Sequence, residues 1–402
     1  MKRSTNRILT THAGSLPRPK DLIELYHSED AGKLKDRKPL SSRCTSAVAE
    51  VLAQQKQAGV DIPDDGEFGK STGQTTDYAP WLTYIYPRLK GFTGGVSMSE
   101  AMHFKAGGIT FGSFHERRDF GKFREFYQDP QAIGFGGSIT ARKIPACTEP
   151  ISYAGQEALQ ADISNLKAAM AAAGVAEAFM CSASPGVIER SQNRYYQREE
   201  DFLSAIADAM HQEYKAIVEA GMILQIDDPG MPDTWDAAVP EPPLELYKKY
   251  ARVRVEALNH ALRGLPEERV RYHICWGSWH GPHTTDIALR DVVDLVLSVH
   301  AGAYSVEAGN VRHEHEWTVW QDVKLPPGKI LIPGVVSHAT NVVEHPELVA
   351  ERIVRFANLV GRENVIAGTD CGLGGRLHPS IAWAKLAMLA EGAALASKKL
   401  WR

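Results

Sequence analysis

The sequence is poor in cysteine, in long apolar runs and in surplus charge, and each shortage excludes a class of protein. Its 402 residues include five cysteines, an odd and sparse number that argues against a disulfide framework. No stretch approaches the roughly 20 apolar residues of a membrane span, and the first residues lack the apolar core of a secretory signal. With 45 basic and 49 acidic residues and no basic run, neither nucleic acid nor a membrane surface is indicated as a partner. We therefore expect a cytoplasmic protein with reduced thiols.

Short apolar segments alternate with longer helical patterns along most of the chain. Segments typical of strands occur at 8–11, 59–63, 178–181, 222–226, 270–275, 303–306, 329–336 and 364–367. Helical periodicity occurs at 162–173, 199–220, 244–262 and 346–359. Strands alternating with helices favour parallel pairing, and about eight such units predict an α/β fold of the (β/α)8 TIM-barrel type. The prediction is one catalytic barrel domain over 1–402, preferred to a doubly wound sheet because polar candidates follow so many strands.

One stretch, about residues 72–152, does not follow this alternation and is rich in glycine, tyrosine and phenylalanine. We interpret it as an insertion in one βα region, with small strands of its own. Long insertions at the mouth of a barrel are usually functional. The alternative is an oligomerisation surface, which would make the protein a homo-oligomer.

Four residues of zinc-ligand type follow apolar segments in the last third of the chain: His273 and Cys275 in YHICWG, Glu307 in YSVEAG and Cys371 in GTDCG. His273 and Cys275 are two residues apart, so on a strand both side chains point to the same side. The alternative is that Cys275 is a small buried hydrophobe and His273 a hydrogen-bonded core histidine. The shared position at strand ends favours zinc, and a thiolate-rich zinc site indicates chemistry at sulfur.

Other histidines are weaker candidates for metal ligands. His280, His283 and the HEHE run at 313–316 lie in polar segments, which predicts solvated loops. We therefore rank them below the four residues at strand ends.

Carboxylates follow two further predicted strands. Asp227 and Asp228 in LQIDDPG come after 222–226, and Glu67 in DDGEFGKS comes after 59–63. At the mouth of a barrel such carboxylates are suited to a substrate amine, and Gly66 permits a sharp turn before Glu67. The alternatives are a turn or a helix cap for the aspartates and a plain acidic loop for Glu67.

Two more segments supply polar groups after strands. In THAGSLPRP, the backbone at Gly14 and the hydroxyl of Ser15 are suited to a carboxylate, with Arg18 nearby. This segment lacks the patterns GxGxxG and GK[ST], so it is not a phosphate loop. His338 in IPGVVSHATNVVEHP is a candidate general acid, with a structural role as the alternative.

Taken together, the segments THAGSLPRP, DDGEFGK, LQIDDP, HIC, SVEAG and TDCGLGGR resemble the catalytic half of cobalamin-independent methionine synthase and its family of zinc thiol alkyltransferases. The resemblance covers nearly the whole chain apart from the insertion. It implies a barrel in which His273, Cys275, Glu307 and Cys371 hold Zn²⁺. It also implies transfer of an alkyl group, methyl in the synthases, to a thiol such as homocysteine, and so a part in methionine biosynthesis.

The same resemblance implies roles for the remaining candidates. The amine of homocysteine would contact Glu67 and Asp227, and its carboxylate would contact the region of Ser15. His338, offset by one residue from a family histidine, would act as the catalytic acid. Asp228 stands where the family has glutamate, and we place it with Asp227 among the substrate-binding residues.

Three features depart from the synthases and keep alternatives open. The chain is too short for their second barrel, the insertion has no obvious counterpart, and HICWGSWHGPH is unusually aromatic. In that segment Trp276 and Trp279 would exclude water or stack on a flat donor. These features favour an epoxide-opening transferase of the epoxyalkane–coenzyme M type. The alkyl donor is thus a folate, a corrinoid protein or an epoxide, and a metal-free barrel similar to uroporphyrinogen decarboxylase is the alternative from another class.

Overall fold

The computed structural model describes residues 1–70, 80–129 and 143–401. Its strands are β1 Leu9–Thr10, β2 Leu89–Ser97, β3 Phe104–Ala106, β4 Ile109–Phe111, β5 Lys143–Tyr153, β6 Phe179–Ala183, β7 Ile223–Asp227, β8 Val270–His273, β9 Ala303–Glu307, β10 Ile330–Val336 and β11 Ile366–Thr369. The α-helices are Lys20–Asp30, Lys38–Gln57, Pro80–Thr83, Met98–Ala101, Arg118–Lys122, Arg124–Gln128, Gln156–Ala173, Pro185–Ile188, Glu199–Glu219, Gly230–Ala237, Leu244–Ala261, Leu289–Leu297, Val319–Asp322, Pro346–Val360 and Pro379–Leu400. Within these described ranges, no helix is both long and apolar enough to cross a membrane.

Seven parallel strands form one curled sheet in the order β1-β11-β10-β9-β8-β7-β6. The segment 60–63 lies between the two outer strands, because Ile62 pairs with Thr11 in a parallel bridge and Phe179 N–H donates to the carbonyl of Pro63 at 3.0 Å. The ring therefore has eight members and the predicted TIM-barrel fold is confirmed. The predicted strand at 59–63 is reduced to a bridge, since Pro63 has no N–H to donate to a neighbouring strand.

The helical predictions at 162–173, 199–220, 244–262 and 346–359 each coincide with an observed helix. The helix Glu199–Glu219 shows why, because the side chains of Phe202, Ile206, Met210 and Tyr214 at i, i+4 spacing are all buried. Such an apolar stripe packs a helix against the sheet.

Side chains inside the barrel change from apolar to polar along the strands, because alternate residues share a face. The lower level is apolar and includes Leu9, Phe179, Ile223 and Ile366. The next inward-facing level is polar. There Arg271 is fully buried, and its guanidinium donates to Gln225, Thr11 and the carbonyl of His12. The polar layer around Arg271 supports the strand ends above it, where the candidate site lies.

The insertion has small strands of its own, as predicted, in the part of it that the structure describes. β2 pairs antiparallel with β5, and β3 with β4. Residues 72–79 and 130–142 of the predicted insertion lie outside the described residues. The strand β5 and the segment before β2 contact the barrel at Glu213, whose carboxylate accepts hydrogen bonds from Tyr153 at 2.7 Å, Tyr84 at 3.1 Å and Ser182 at 2.7 Å. Glu213 therefore joins insertion and barrel.

Replacing Glu213 by glutamine is expected to lower the free energy of unfolding by about 1–3 kcal/mol. The glutamine amide brings N–H donors to a place where Tyr84, Tyr153 and Arg88 already donate. Urea unfolding of the variant and the parent measures the difference. Glu219→Gln, at an exposed position of the same helix, is the matched control and should change stability by less than about 0.5 kcal/mol. Equal losses in the two variants would contradict this role of Glu213.

Candidate metal and substrate site

His273, Cys275 and Cys371 meet at the upper end of the barrel. His273 ends β8, Cys275 follows two residues later, and Cys371 comes two residues after β11. One ligand atom from each lies within 4.8 Å of the others, and all three residues are buried. The two sulfur atoms are 3.7 Å apart, far beyond the roughly 2.05 Å of a disulfide bond. Three of the four predicted ligands are thus brought together.

One ring nitrogen of His273 has a hydrogen-bond partner and the other has none among the described residues. Its Nδ1 is 3.0 Å from the hydroxyl of Ser305, whereas its buried Nε2 has no hydrogen-bond partner among the described residues. A buried polar atom without a partner is costly, so it indicates a ligand. One nitrogen and two sulfurs are donors that suit zinc. The hydrogen bond between the two thiols also lowers the pKa of Cys371 well below its usual value, which favours a thiolate.

Glu307, the fourth predicted ligand, lies outside this group of three. It ends β9, its Oε1 accepts from the Trp276 N–H at 3.0 Å, and its Oε2 accepts from the Asn310 amide at 2.6 Å. Burial raises the pKa of this carboxyl well above its usual value. Its place in the ligand set stays a prediction.

Asp370, which sequence reasoning missed, fixes the loop that follows Glu307. Its Oδ1 accepts from the backbone N–H groups of Ala308 at 2.7 Å and Gly309 at 2.8 Å, and its Oδ2 accepts from Asn310 at 3.0 Å. The sequence feature that could have identified Asp370 is its position directly before Cys371. Asp370 links the strand ends of β9 and β11.

His313, one of the weaker metal candidates, is buried rather than solvated. Its ring nitrogens lie 3.1 Å from Asp286 and 2.9 Å from Glu316, and the ring stacks on Trp276 at 4.0 Å. Burial opposes protonation, but the hydrogen bonds to the two carboxylates raise the pKa of His313 to about 10. The expectation of solvated loops is wrong here, because the ring is buried between Asp286, from an earlier part of the chain, and Glu316 of the same HEHE run. A protonated imidazole does not bind a metal ion.

A second group of polar side chains lies on the neighbouring strands. Glu67, Cys181 and Asp227 place ligand atoms within 4.8 Å of one another, and Asp227 pairs in register with His273. Gly14, in the loop after β1, lies against this group, since a Cβ there would lie 2.6 Å from Glu67 Oε1 and 2.7 Å from Cys181 Sγ. Glu67 itself has φ 61°, a left-handed conformation that is uncommon for a residue with a side chain. Sequence reasoning missed Cys181.

Asp227 is a buried carboxylate close to another carboxylate. Burial, followed by the negative charge of Glu67, raises the pKa of Asp227 to about 6. The amide of Gln225 donates to its Oδ1 at 2.6 Å. A substrate ammonium would supply the positive charge that this pair favours.

Asp228, its predicted companion, is engaged elsewhere. Its Oδ2 accepts from the hydroxyl of Tyr272 at 2.8 Å, and its backbone N–H donates to His273. These contacts indicate that Asp228 holds the loop after β7 in place. Its predicted role in substrate binding stays a prediction.

Ser15 lies where the loop after β1 meets the loop after β11. Its carbonyl accepts from the N–H groups of Leu373 at 2.9 Å and Gly374 at 2.8 Å, and its hydroxyl is 3.4 Å from the guanidinium of Arg376. A Cβ at residue 372 would lie 2.2 Å from the Ser15 hydroxyl, so Gly372 permits this approach. Ser15 and Arg376 together are suited to an anionic group.

His338 follows β10 and is buried near Cys371. Burial lowers the pKa of His338 to about 3, so the imidazole is neutral at pH 7. Its Nδ1 has no hydrogen-bond partner within the described part of the chain. Nδ1 of His338 is therefore able to accept a proton.

The two tryptophans pack against histidines. Trp276 is fully buried and its indole N–H donates to the carbonyl of Ile287 at 2.6 Å. Trp279 stacks on His283 at 4.1 Å. These contacts favour packing for Trp276, and its predicted contact with substrate stays a prediction.

The comparisons with known proteins point to one enzyme family. Residues 132–394 match the family described as "Cobalamin-independent synthase, Catalytic domain". A methionine synthase of Saccharolobus solfataricus is 27% identical over 98% of this chain and 96% of its own length, and one of Sulfurisphaera tokodaii is 25% identical over 97% and 93%. A solved B12-independent methionine synthase from Shewanella sp. W3-18-1, in complex with selenomethionine, has a TM-score of 0.70 at 20% identity and covers 98% of this chain and 99% of its own.

Proposed function

Because the chain belongs to the cobalamin-independent synthase family through its catalytic domain, we propose that it transfers a methyl group to the thiol of homocysteine and forms methionine. Zn²⁺ is its cofactor, and 1–402 is one catalytic barrel domain. The observation that carries the proposal is the buried, unpartnered Nε2 of His273, which lies beside the thiols of Cys275 and Cys371. The methionine synthases and the selenomethionine complex among its relatives support an amino acid with a thiol as substrate.

His273, Cys275 and Cys371 would hold the metal, with Glu307 as the fourth ligand. A zinc ion there supplies Lewis acidity that lowers the pKa of a substrate thiol from about 8.5. Glu67 and Asp227 bind the substrate ammonium. Since Asp227 pairs in register with His273, the head group sits on the strand next to the sulfur ligands.

The reaction forms a bond from sulfur to the methyl carbon and breaks the bond from that carbon to the donor atom. The thiol loses a proton and the donor atom gains one. His338 is neutral and lies near Cys371, so the simplest balance passes the released proton to His338 and then to the leaving atom.

A small methylated folate is the first donor to test. Synthases of this chain's length among the relatives favour methyl transfer over epoxide opening, with a corrinoid protein or an epoxide as the alternative donors. A metal-free decarboxylase would not require the buried Nε2 of His273 or the neighbouring thiols of Cys275 and Cys371.

Elemental analysis and zinc X-ray absorption spectra, with and without each thiol, test the proposal. We expect one zinc per chain and a new sulfur ligand on addition of L-homocysteine. Failure to take up zinc on reconstitution would overturn it. A new sulfur ligand with coenzyme M alone would favour the epoxide-opening alternative.

Binding of L-methionine is expected to weaken as pH falls through about 6, the pKa to which burial and Glu67 raise Asp227. Below that pKa Asp227 is protonated and loses the charge that attracts the ammonium; above it the charge is present. L-methionine is the suitable ligand because it has no thiol to titrate. Calorimetric dissociation constants between about pH 5 and 8 measure the effect, and the step should vanish in Asp227→Asn. An unchanged pH profile in that variant would contradict the assignment.

A further inference from the structure

Asp119, in the insertion, is a buried carboxylate that binds the loop after β8. It lies on the helix Arg118–Lys122, and only 1% of the residue is exposed. Its Oδ1 accepts from the backbone N–H of Thr284 at 2.9 Å and from the hydroxyl of Thr284 at 2.8 Å. Its Oδ2 accepts from the backbone N–H of His283 at 3.1 Å and from the hydroxyl of Tyr127 at 2.9 Å. One side chain of the insertion thus holds two consecutive residues of the loop.

The outer part of that loop, residues 279–284, packs closely against the insertion. A Cβ at Gly281 would lie 2.4 Å from the hydroxyl of Tyr127, so the loop backbone lies directly against this side chain. The same hydroxyl accepts from the indole N–H of Trp279 at 3.1 Å, and the guanidinium of Arg117 lies 4.7 Å from the centre of the Trp279 ring. A cation over the face of an indole and a hydrogen bond at its edge both favour one position of the ring. The outer part of the loop therefore takes its position from the insertion.

The beginning of the loop is held by the barrel instead. The backbone N–H of Ile274 donates to the carbonyl of Ser305 on β9 at 3.1 Å. The backbone N–H of Trp276 donates to Glu307, at the end of the same strand, at 3.0 Å. Cys275 lies between these two anchors, so its position depends on the barrel. The contacts that place this proposed metal ligand are therefore separate from the contacts of the insertion.

The outer part of the loop also lies beside His338, the candidate acid. Burial is the main cause that lowers the pKa of His338, and the neighbouring imidazoles of His280 and His283 lower it further. The ring of His283 is in turn stacked on Trp279 at 4.1 Å, and its Nε2 lies 3.1 Å from the carbonyl of Trp279. His338 thus owes part of its surroundings to a segment that the insertion holds.

We propose that Asp119 is a positioning residue for methyl transfer, which holds the outer part of the loop in place beside His338. The inference assigns the insertion to the active site and rests on the proposed function for the role of His338. A displacement of about 1 Å that starts far from the reacting atoms can slow a reaction about a hundredfold. Replacing Asp119 should therefore lower kcat, whereas zinc and homocysteine, which the barrel residues bind, should keep their affinities.

Asp119→Asn tests the proposal, because asparagine keeps the size of the side chain but brings N–H donors to a place where Tyr127, His283 and Thr284 already donate. We expect kcat to fall about 10- to 100-fold, with the KM for homocysteine and the zinc affinity within about twofold of the parent. Amide hydrogen exchange of the loop, followed by mass spectrometry, should become at least about tenfold faster. Glu125→Gln, which changes an exposed carboxylate of the same insertion, is the matched control and should alter none of these quantities.

A parental kcat in Asp119→Asn would overturn the proposal. A fall in kcat with an equal loss of zinc affinity would overturn it as well, because Asp119 would then support the whole site rather than the loop. Unchanged amide exchange in the loop is the third contrary result, and it needs no turnover. A parent protein that transfers no methyl group would contradict the proposed function, and the exchange measurement would still decide whether Asp119 holds the loop. Thr284→Val, which removes one of the same contacts from the loop side, replaces Asp119→Asn if that variant does not fold.

Discussion

Replacing Cys371 by serine is expected to weaken zinc binding at least about a hundredfold and to abolish methyl transfer. Even removal of a residue that only supports a metal ligand costs about 10- to 100-fold in affinity, and Cys371 is proposed as a ligand itself. A serine hydroxyl does not ionise at neutral pH, so the site would keep one thiol and the imidazole of His273. Competition with a chromophoric zinc chelator measures the affinity.

Cys44→Ser is the matched control for this prediction. Cys44 is also a buried free cysteine, but it lies on the helix Lys38–Gln57, away from the strand ends. The control should bind zinc as the parent does. Unchanged zinc affinity in Cys371→Ser would contradict the ligand set. Glu307→Gln then decides the fourth position, because the glutamine carbonyl still accepts from Trp276 whereas the charge is removed.

Replacing Arg271 by methionine is expected to lower the free energy of unfolding by about 3–5 kcal/mol. The guanidinium is fully buried, lies over the Phe179 ring at 3.4 Å, and donates to Gln225, Thr11 and the carbonyl of His12. Removing it leaves these acceptors buried without a donor. Urea unfolding followed by circular dichroism measures the loss.

Arg269→Met is the matched control, two residues earlier in the same segment. Its guanidinium is partly exposed and donates to the carbonyl of Gly221 at the surface. The control should change stability by less than about 0.5 kcal/mol. A loss below about 1 kcal/mol in Arg271→Met would show that the polar layer inside the barrel tolerates the missing cation.

The sequence predicts the barrel and the sulfur site because both depend on local patterns. Apolar segments alternate with helices, and residues at the ends of parallel strands meet at one face. His273 and Cys275 share a side by strand periodicity, and Cys371 joins them because its strand ends at the same level. The chemistry of these residue types then indicates zinc.

What the sequence does not predict depends on contacts between distant segments. Lys70 stands in a polar segment, and its ammonium is buried against the ring of Tyr84. His313 is read as solvated until Asp286, 27 residues earlier, is seen beside it. Asp370 differs from other acidic residues only through its hydrogen bonds to the loop after β9.

The bridge at 60–63 has a consequence for motion. This member of the ring is held by few backbone hydrogen bonds, among them those from Asp61 and Ile62 to Thr10 and from Phe179 to Pro63. Its amide hydrogens should therefore exchange with solvent faster than those of β7 to β10, which are paired on both sides. The loop that carries Glu67 and Lys70 follows directly, whereas Cys275 and Cys371 follow β8 and β11 of the continuous sheet. Transient opening of the ring at 60–63 would release the head group of a bound amino acid while His273, Cys275 and Cys371 keep their places.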